Sequence, residues 1–161
     1  MKNKFIFCDP EKCLGCLICE FACSAIKEKS INPLLSRIRV VNLEPAGSIA
    51  VTCTLCDDTP CVKACPRKAL RRDNETGVVL VDEDKCNGCR WCFEACPFGA
   101  IAFNPYKRKV MICDLCDGNP ECVKYCPFNG ALTFSSIEEI AHNRRTEILK
   151  KILKEIAGKE A

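Results

Sequence analysis

Cys86-Asn87-Gly88-Cys89-Arg90-Trp91-Cys92-Phe93-Glu94-Ala95-Cys96-Pro97 decides the reading of this chain. Its cysteines follow C-x2-C-x2-C-x3-C with a proline behind the last, the bacterial spacing for an iron–sulfur cubane. The same spacing, followed by Ser24 instead of proline, recurs at Cys13, Cys16, Cys19 and Cys23. Two wider quartets complete the set: Cys53, Cys56, Cys61, Cys65 and Cys113, Cys116, Cys122, Cys126, each ending in Cys-Pro. Sixteen of the 17 cysteines thus fall into four groups, the complement that four [4Fe–4S] clusters require.

The residues between the cysteines suit that chemistry. Cubane iron prefers thiolate, and four corners need four of them. Three close cysteines on a tight loop can reach three corners of one cube, while the fourth points away. Gly15 and Gly88 let the backbone curl so that amide N–H groups face sulfur. Pro66, Pro97 and Pro127 stop a helix at the exit of their loops. Ser24 does not, so the Cys23 corner is expected to be the more exposed one.

Bulk composition agrees with a metal-stapled fold. The chain has 161 residues and a formal charge of +3, and its 48% hydrophobic content includes the cysteines. With a modest apolar core, folding should depend on cofactor loading, and the metal-free chain is expected to fold poorly. Each oxidised cubane with its thiolates carries about −2, so four take the net charge to roughly −5. Lys and Arg then mainly offset buried anions, which weakens any case for nucleic acid or membrane binding. A secreted disulfide scaffold is disfavoured by the odd cysteine count, the C-x2-C repeats and a start without an apolar export signal. No window is long and apolar enough to span a bilayer. These features lead to an expected cytoplasmic location.

The chain reads as an internal duplication. Lys12-Cys13-Leu14-Gly15-Cys16 echoes Lys85-Cys86-Asn87-Gly88-Cys89, and Pro60-Cys61-Val62-Lys63-Ala64-Cys65-Pro66 echoes Pro120 to Pro127 with Glu121 inserted. The fold class is therefore α+β and loop-rich: two pseudo-symmetric bacterial-ferredoxin-like lobes over residues 1–135, and a C-terminal amphipathic helix within 136–161. Short strands are predicted at Lys4–Phe7, Ile38–Leu43, Ile49–Thr52, Ala69–Arg72, Val78–Val81, Ala100–Phe103, Lys109–Ile112 and Ala131–Phe134, most of them flanking hairpin turns. Helical turns are expected between the third and fourth cysteine of each quartet. In the tail, Ser136 and Glu139 form a capping-box pattern ahead of apolar residues at helical spacing, predicting a helix over Ile137–Ala157 with Gly158 as its stop. That helix either packs on its own domain or docks a partner subunit.

Other residues are read more plainly. Cys8 is a buried small hydrophobe sooner than a ligand. Trp91 is packing that keeps water from a cluster, and His142 is a solvated helix residue. Asp57 and Asp117 are turn or helix caps. The basic groups Arg67-Lys68-Ala69-Leu70-Arg71-Arg72 and Lys107-Arg108-Lys109 are solvated turns and charge compensation, with a docking patch for an acidic partner as the second reading. No catalytic triad, phosphate loop or carboxylate pair is present.

The four quartets, in their order, resemble the four-cluster ferredoxin-like electron-transfer subunits of oxidoreductases. These accompany dimethyl sulfoxide reductase-type and aldehyde oxidoreductase enzymes, and related chains accompany hydrogenases and carbon monoxide dehydrogenases. The duplication alone suggests pairing the first quartet with the second and the third with the fourth; the resemblance implies instead that the first pairs with the fourth and the second with the third, exchanging final cysteines and so intertwining the two lobes. One cluster would take Cys13, Cys16, Cys19 and Cys126; a second Cys113, Cys116, Cys122 and Cys23. The inner pair would take Cys53, Cys56, Cys61 with Cys96, and Cys86, Cys89, Cys92 with Cys65. It further implies a non-catalytic subunit. Its partners would be a tungsten- or molybdenum-pterin catalytic subunit and an external carrier such as ferredoxin. The alternatives are a free-standing soluble polyferredoxin, an electron-transfer subunit of a hydrogenase or carbon monoxide dehydrogenase and, more distantly, a zinc-stapled interaction protein.

Overall fold

In the computed structural model, which describes residues 4–157, the two ends of the chain meet in one sheet. Strand β1 (Lys4–Cys8) pairs antiparallel with β8 (Leu132–Ser136), with Lys4 opposite Ser136 and Cys8 opposite Leu132. The remaining strands form three separate antiparallel hairpins: β2 (Arg39–Leu43) with β3 (Gly47–Val51), β4 (Leu70–Arg72) with β5 (Val79–Val81), and β6 (Ala102–Asn104) with β7 (Lys109–Met111). The fold is a small, loop-rich mixture of strand and helix.

Side chains fix the turns between these strands. Asp73 Oδ1 accepts hydrogen bonds from the Glu75 and Thr76 amides and the Thr76 hydroxyl, which closes the β4–β5 turn. Asn104 is buried and its Oδ1 accepts from the Tyr106 and Lys107 amides, both at 3.0 Å, which closes β6–β7.

Helices carry the third cysteine of every quartet. These are α1 (Ile18–Glu28) with Cys19, α2 (Pro60–Lys63) with Cys61, α3 (Trp91–Ala95) with Cys92, and α4 (Glu121–Lys124) with Cys122. α1 packs on α4 and α2 on α3, so cysteines from distant parts of the chain face one another. A short 3₁₀ turn at Pro33–Leu35 follows α1.

The first quartet corrects two expectations. Its helical turn is an eleven-residue helix that runs on past Cys23, because Ser24, unlike proline, permits continuation. Cys23 is consequently buried, not exposed, and Ser24 is wholly buried. The Ser24 hydroxyl donates to the Phe21 carbonyl and accepts from the Asn32 amide. The proline-terminated corners Cys65, Cys96 and Cys126 are only partly buried.

Helix α5 (Ile137–Ala157) has its predicted bounds. The Glu139 amide donates to Ser136 Oγ at 3.2 Å and the Ser136 amide to Glu139 Oε2 at 2.9 Å, a reciprocal capping box. Gly158, its expected stop, lies outside the described residues. The first half of α5 lies along β8 and is tied to the N-terminal loop, where Lys12 pairs with Glu147 at 2.8 Å. Ile148, Leu149, Ile152, Leu153 and Ile156 are exposed on its second half. No described helix is long and apolar enough to cross a membrane.

Two apolar clusters form the core. Ile6, Ile38, Val78, Leu115 and Leu132 surround Cys19, Cys23, Cys113 and Cys122. Leu70, Val79, Ile101, Val110 and Ile112 surround Cys61, Cys86 and Cys92. Cys53 touches both clusters.

Candidate metal centre

The second cysteine of every quartet is preceded by a left-handed residue. Gly15 (φ 66°), Leu55 (φ 56°), Gly88 (φ 71°) and Leu115 (φ 59°) occupy this position. Such a residue turns successive amide N–H groups toward one side, which makes a concave cradle for an anion. Leu55 and Leu115 adopt it against their Cβ sterics, at a cost of about 1–2 kcal/mol each. Glycine is needed at the other two. A Cβ on Gly15 would press on the side chains of Asn42 and Ser48, and one on Gly88 on the backbone carbonyl of Arg108.

These loops and the short helices gather the cysteines. Cys53, Cys56, Cys61 and Cys96 line one cavity. Cys13, Cys16, Cys19 and Cys126 line another. Cys65, Cys86, Cys89 and Cys92 line a third. Each has apolar walls and four sulfurs, a donor set suited to a soft metal. In the fourth group, repulsion from Cys113, Cys23 and Cys116 adds to burial in raising the Cys122 thiol. Each of the three cavities draws its cysteines from two quartets.

Packing separates the groups into two sides. Cys19, Cys23, Cys113 and Cys122 lie in the first apolar cluster and Cys61, Cys86 and Cys92 in the second, while Cys53 packs against both. The Cys53 group therefore lies where the two sides meet. Cys16 and Cys89, one on each side, are the exposed cysteines.

Burial is the main cause of the raised thiols. It pushes Cys53 and Cys92 to about 11 and Cys19 and Cys113 to about 12, with neighbouring cysteines adding to each. Four thiolates could not share such a place without cations between them. Ferric and ferrous iron would supply those cations. Backbone amides already face some of the sulfurs: Arg37 N–H to Cys23 Sγ and Ala69 N–H to Cys65 Sγ, both at 3.3 Å. All seventeen cysteines are free thiols. Among the described residues no three candidate ligands converge on a single-ion site. Sulfurs that each take a different corner of a cube have no need to converge.

Cys8 is buried beside Cys13, and its sulfur accepts the Ala50 amide at 3.2 Å. Burial raises it to about 11, as befits a small core residue. Trp91 is 64% exposed and lines none of the cysteine cavities described here, so it does not shield a site from water. As the first residue of α3, it points its large ring outward. Asp57 and Asp117 do not cap helices: α2 starts after Thr59 and α4 after Pro120, neither with a side-chain cap. Asp57 instead pairs with Arg72 at 2.9 Å, and Asp117 is itself a left-handed turn residue. Asp114 closes the fourth loop, its Oδ1 accepting the Cys116 amide. His142 is exposed.

Sequence reasoning missed two flanking cations. Lys27 on α1 pairs with Asp114 at 2.7 Å, and Arg37 pairs with Glu28 at 3.0 Å beside Cys23. No motif marks them, because the fold brings them there from outside the quartets.

Comparison with known proteins gives a consistent picture. Residues 48–137 match the 4Fe-4S dicluster domain family. The polyferredoxin-like subunit of aliphatic sulfonate oxidoreductase from Pyrococcus furiosus is 48% identical over 76% of this chain and 70% of its own length. The B subunit of anaerobic dimethyl sulfoxide reductase from Escherichia coli is 36% identical over 83% of this chain and 74% of its own length. Among solved structures, the active-site complex BamBC of benzoyl coenzyme A reductase aligns over 82% of this chain and 75% of that protein, with 30% identity and a TM-score of 0.47.

Proposed function

The chain belongs to the 4Fe-4S dicluster domain family and is an iron–sulfur electron-transfer subunit of an oxidoreductase complex, not a catalytic one; we propose that it holds four [4Fe–4S] clusters on sixteen cysteines and passes single electrons between a tungsten- or molybdenum-pterin catalytic subunit and an external carrier such as ferredoxin. The grouping of cysteines from two quartets around each cavity carries this reading. When bound, a cubane supplies a site that gains and loses one electron with little rearrangement.

The protein's own residues do the rest. Cys13, Cys16, Cys19 and Cys126 hold one cluster, and Cys23, Cys113, Cys116 and Cys122 the next. Cys53, Cys56, Cys61 and Cys96 hold the third, and Cys65, Cys86, Cys89 and Cys92 the fourth. Buried Ile38, Val79 and Leu132 keep water away, so that charge added to a site is felt by its neighbours. The amides of Arg37 and Ala69 donate to ligand sulfur and favour the reduced, more negative state. In this reading residues 1–135 are two intertwined ferredoxin-like lobes that arose by duplication, and 136–161 is an arm whose exposed apolar half meets the catalytic subunit. We place it in the cytoplasm, a reducing compartment in which sixteen ligand thiols would be kept from oxidation before the clusters are loaded.

Anaerobic purification tests the proposal. About sixteen irons and sixteen acid-labile sulfides per polypeptide are expected, with a brown colour that bleaches on reduction. A colourless zinc protein would overturn it. Stoichiometric co-purification with a large tungsten- or molybdenum-containing subunit tests the partner.

A further inference from the structure

We infer that the Cys89 end of the protein is the port at which a diffusible acidic one-electron carrier protein docks, on a rim formed by Arg67, Lys68, Arg90 and Arg108 around the exposed Trp91. The inference rests on the iron–sulfur reading above and deepens it by assigning the external carrier to one end of the protein.

Two cysteines are exposed: Cys16, whose loop partners Cys13 and Cys19 pack with the first apolar cluster, and Cys89, whose loop partners Cys86 and Cys92 lie in the second. A carrier must approach one of them, because transfer requires close approach to an exposed group. The two ends differ in charge. Arg67 and Arg90 line the same cavity as Cys65, Cys86, Cys89 and Cys92. Lys68 is the next residue after Arg67, and the Arg108 backbone lies against Gly88, the residue before Cys89. All four cations are exposed. Three acids of the flanking segments pair with other cations: Asp57 with Arg72, Asp82 with Lys85 and Glu83 with Lys107. Exposed Asp84 and Glu94 lie on the same segment, so among the described residues four cations without an ion pair stand against two such acids. Arg90 is held in place with its guanidinium 4.1 Å from the centre of the Phe103 ring.

At the Cys16 end the neighbours are Leu14, 68% exposed, and Ile18. The cations that reach that loop are matched by acids: Lys12 pairs with Glu147 at 2.8 Å and Asp9 at 3.2 Å, Arg144 with Asp9 at 3.3 Å, and Lys151 with Glu11 at 3.9 Å. That end offers an anion less steering. At the Cys89 end, a positive rim raises encounter with an anionic protein, and an exposed tryptophan beside the site supplies the aromatic anchor typical of interface centres. Such a pairing is suited to a carrier that binds briefly and leaves.

The test is stopped-flow oxidation of a dithionite-reduced, small acidic two-cluster ferredoxin by the iron-loaded protein, alone or in its native complex, across a salt series. The expected wild-type rate falls as salt rises. Arg67→Glu combined with Arg90→Glu should lower the low-salt rate by about ten-fold or more and abolish its salt dependence. Lys68→Glu alone should give a smaller loss in the same direction. Reduction by the methyl viologen radical cation should not be slowed in any variant. Iron content read on the same samples separates the two claims: variants that keep wild-type iron and are slowed support the port, whereas wild-type protein without iron–sulfur clusters refutes the functional reading itself. A wild-type rate that ignores salt, or fully loaded charge-reversed variants as fast as wild type, overturns the port. So does a rate lost instead on Leu14→Glu, which would move it to the Cys16 end.

Discussion

Arg144 on α5 reaches the buried carboxylate of Asp9, four residues ahead of Cys13, at 3.3 Å. The same carboxylate takes Lys12 at 3.2 Å and the Glu11 amide at 3.1 Å. One acid thereby joins the first cysteine loop to the last helix. Asp9→Asn should cost about 1–3 kcal/mol through lost charge-assisted hydrogen bonds. Hydrogen exchange should show amides in the first half of α5 opening faster, while iron content stays unchanged.

Exchange of final cysteines between quartets makes a specific prediction about iron. Cys126→Ser should abolish the same redox signal as Cys13→Ser, although 113 positions separate them. Neither should disturb the signal lost in Cys113→Ser. Iron should drop from about sixteen toward about twelve per polypeptide. Electron paramagnetic resonance of the reduced single variants is the measurement. If Cys126→Ser matched Cys113→Ser instead, the sets would be wrong.

Acid should strip the iron and moderate alkali should protect it. Burial lifts Cys53 and Cys92 to about 11 and Cys19 and Cys113 to about 12, so these thiols hold their protons at neutral pH when metal is absent. Ligated sulfur holds none. Loss of iron therefore takes up protons, and each unit fall in pH favours it. Retention against a chelator should rise from about pH 6 to about pH 9. The metal-free fold has the opposite sign. Stability that these raised thiols confer is present below pH 9.0, their unshifted value, and is lost as pH climbs toward about 12.

Gly88→Ala should be more damaging than Gly15→Ala. Both residues have positive φ, so both substitutions cost about 1 kcal/mol in backbone strain. The added methyl at Gly88 meets the backbone carbonyl of Arg108, which cannot swing away, whereas at Gly15 it meets only the ends of two side chains. Gly88→Ala should lose the signal that Cys89→Ser loses; Gly15→Ala should keep four signals with a lower thermal midpoint.

Ser136→Ala removes half of the capping box and should weaken the start of α5 by about 1 kcal/mol. Circular dichroism should report lower helicity, with reduction kinetics unaltered.

The legible parts of this fold share one property: their signals are local. Asp73 and Gly77 announce the β4–β5 turn, and Ser136 with Glu139 announces α5, because partners a few residues apart decide each of them. Hairpin strands are a residue or so shorter or shifted, as at Arg39–Leu43, since strand ends depend on pairing that local pattern does not encode. The length of α1 is hidden because its cysteine spacing masks its helical period, and Ser24 looks like a weak stop when it is a buried hydrogen-bonding residue inside the helix. Trp91 misleads for a similar reason. Its neighbours Cys89 and Cys92 suggest shielding, but the helix start at Arg90 rotates it outward. Lys27 and Arg37 carry no signal in the sequence, since their partners Asp114 and Cys23 meet them only through tertiary packing.

The pairing of β1 with β8 sets a timetable for biosynthesis. A nascent chain that has emerged as far as Ile112 already contains every cysteine of the Cys53 and Cys89 groups, from Cys53 to Cys96. The Cys16 and Cys23 groups stay open at one side until Leu132–Ser136 leaves the ribosome and closes over Lys4–Cys8. A truncated product therefore cannot pass for a finished one: it would have the Cys89 side and lack the other.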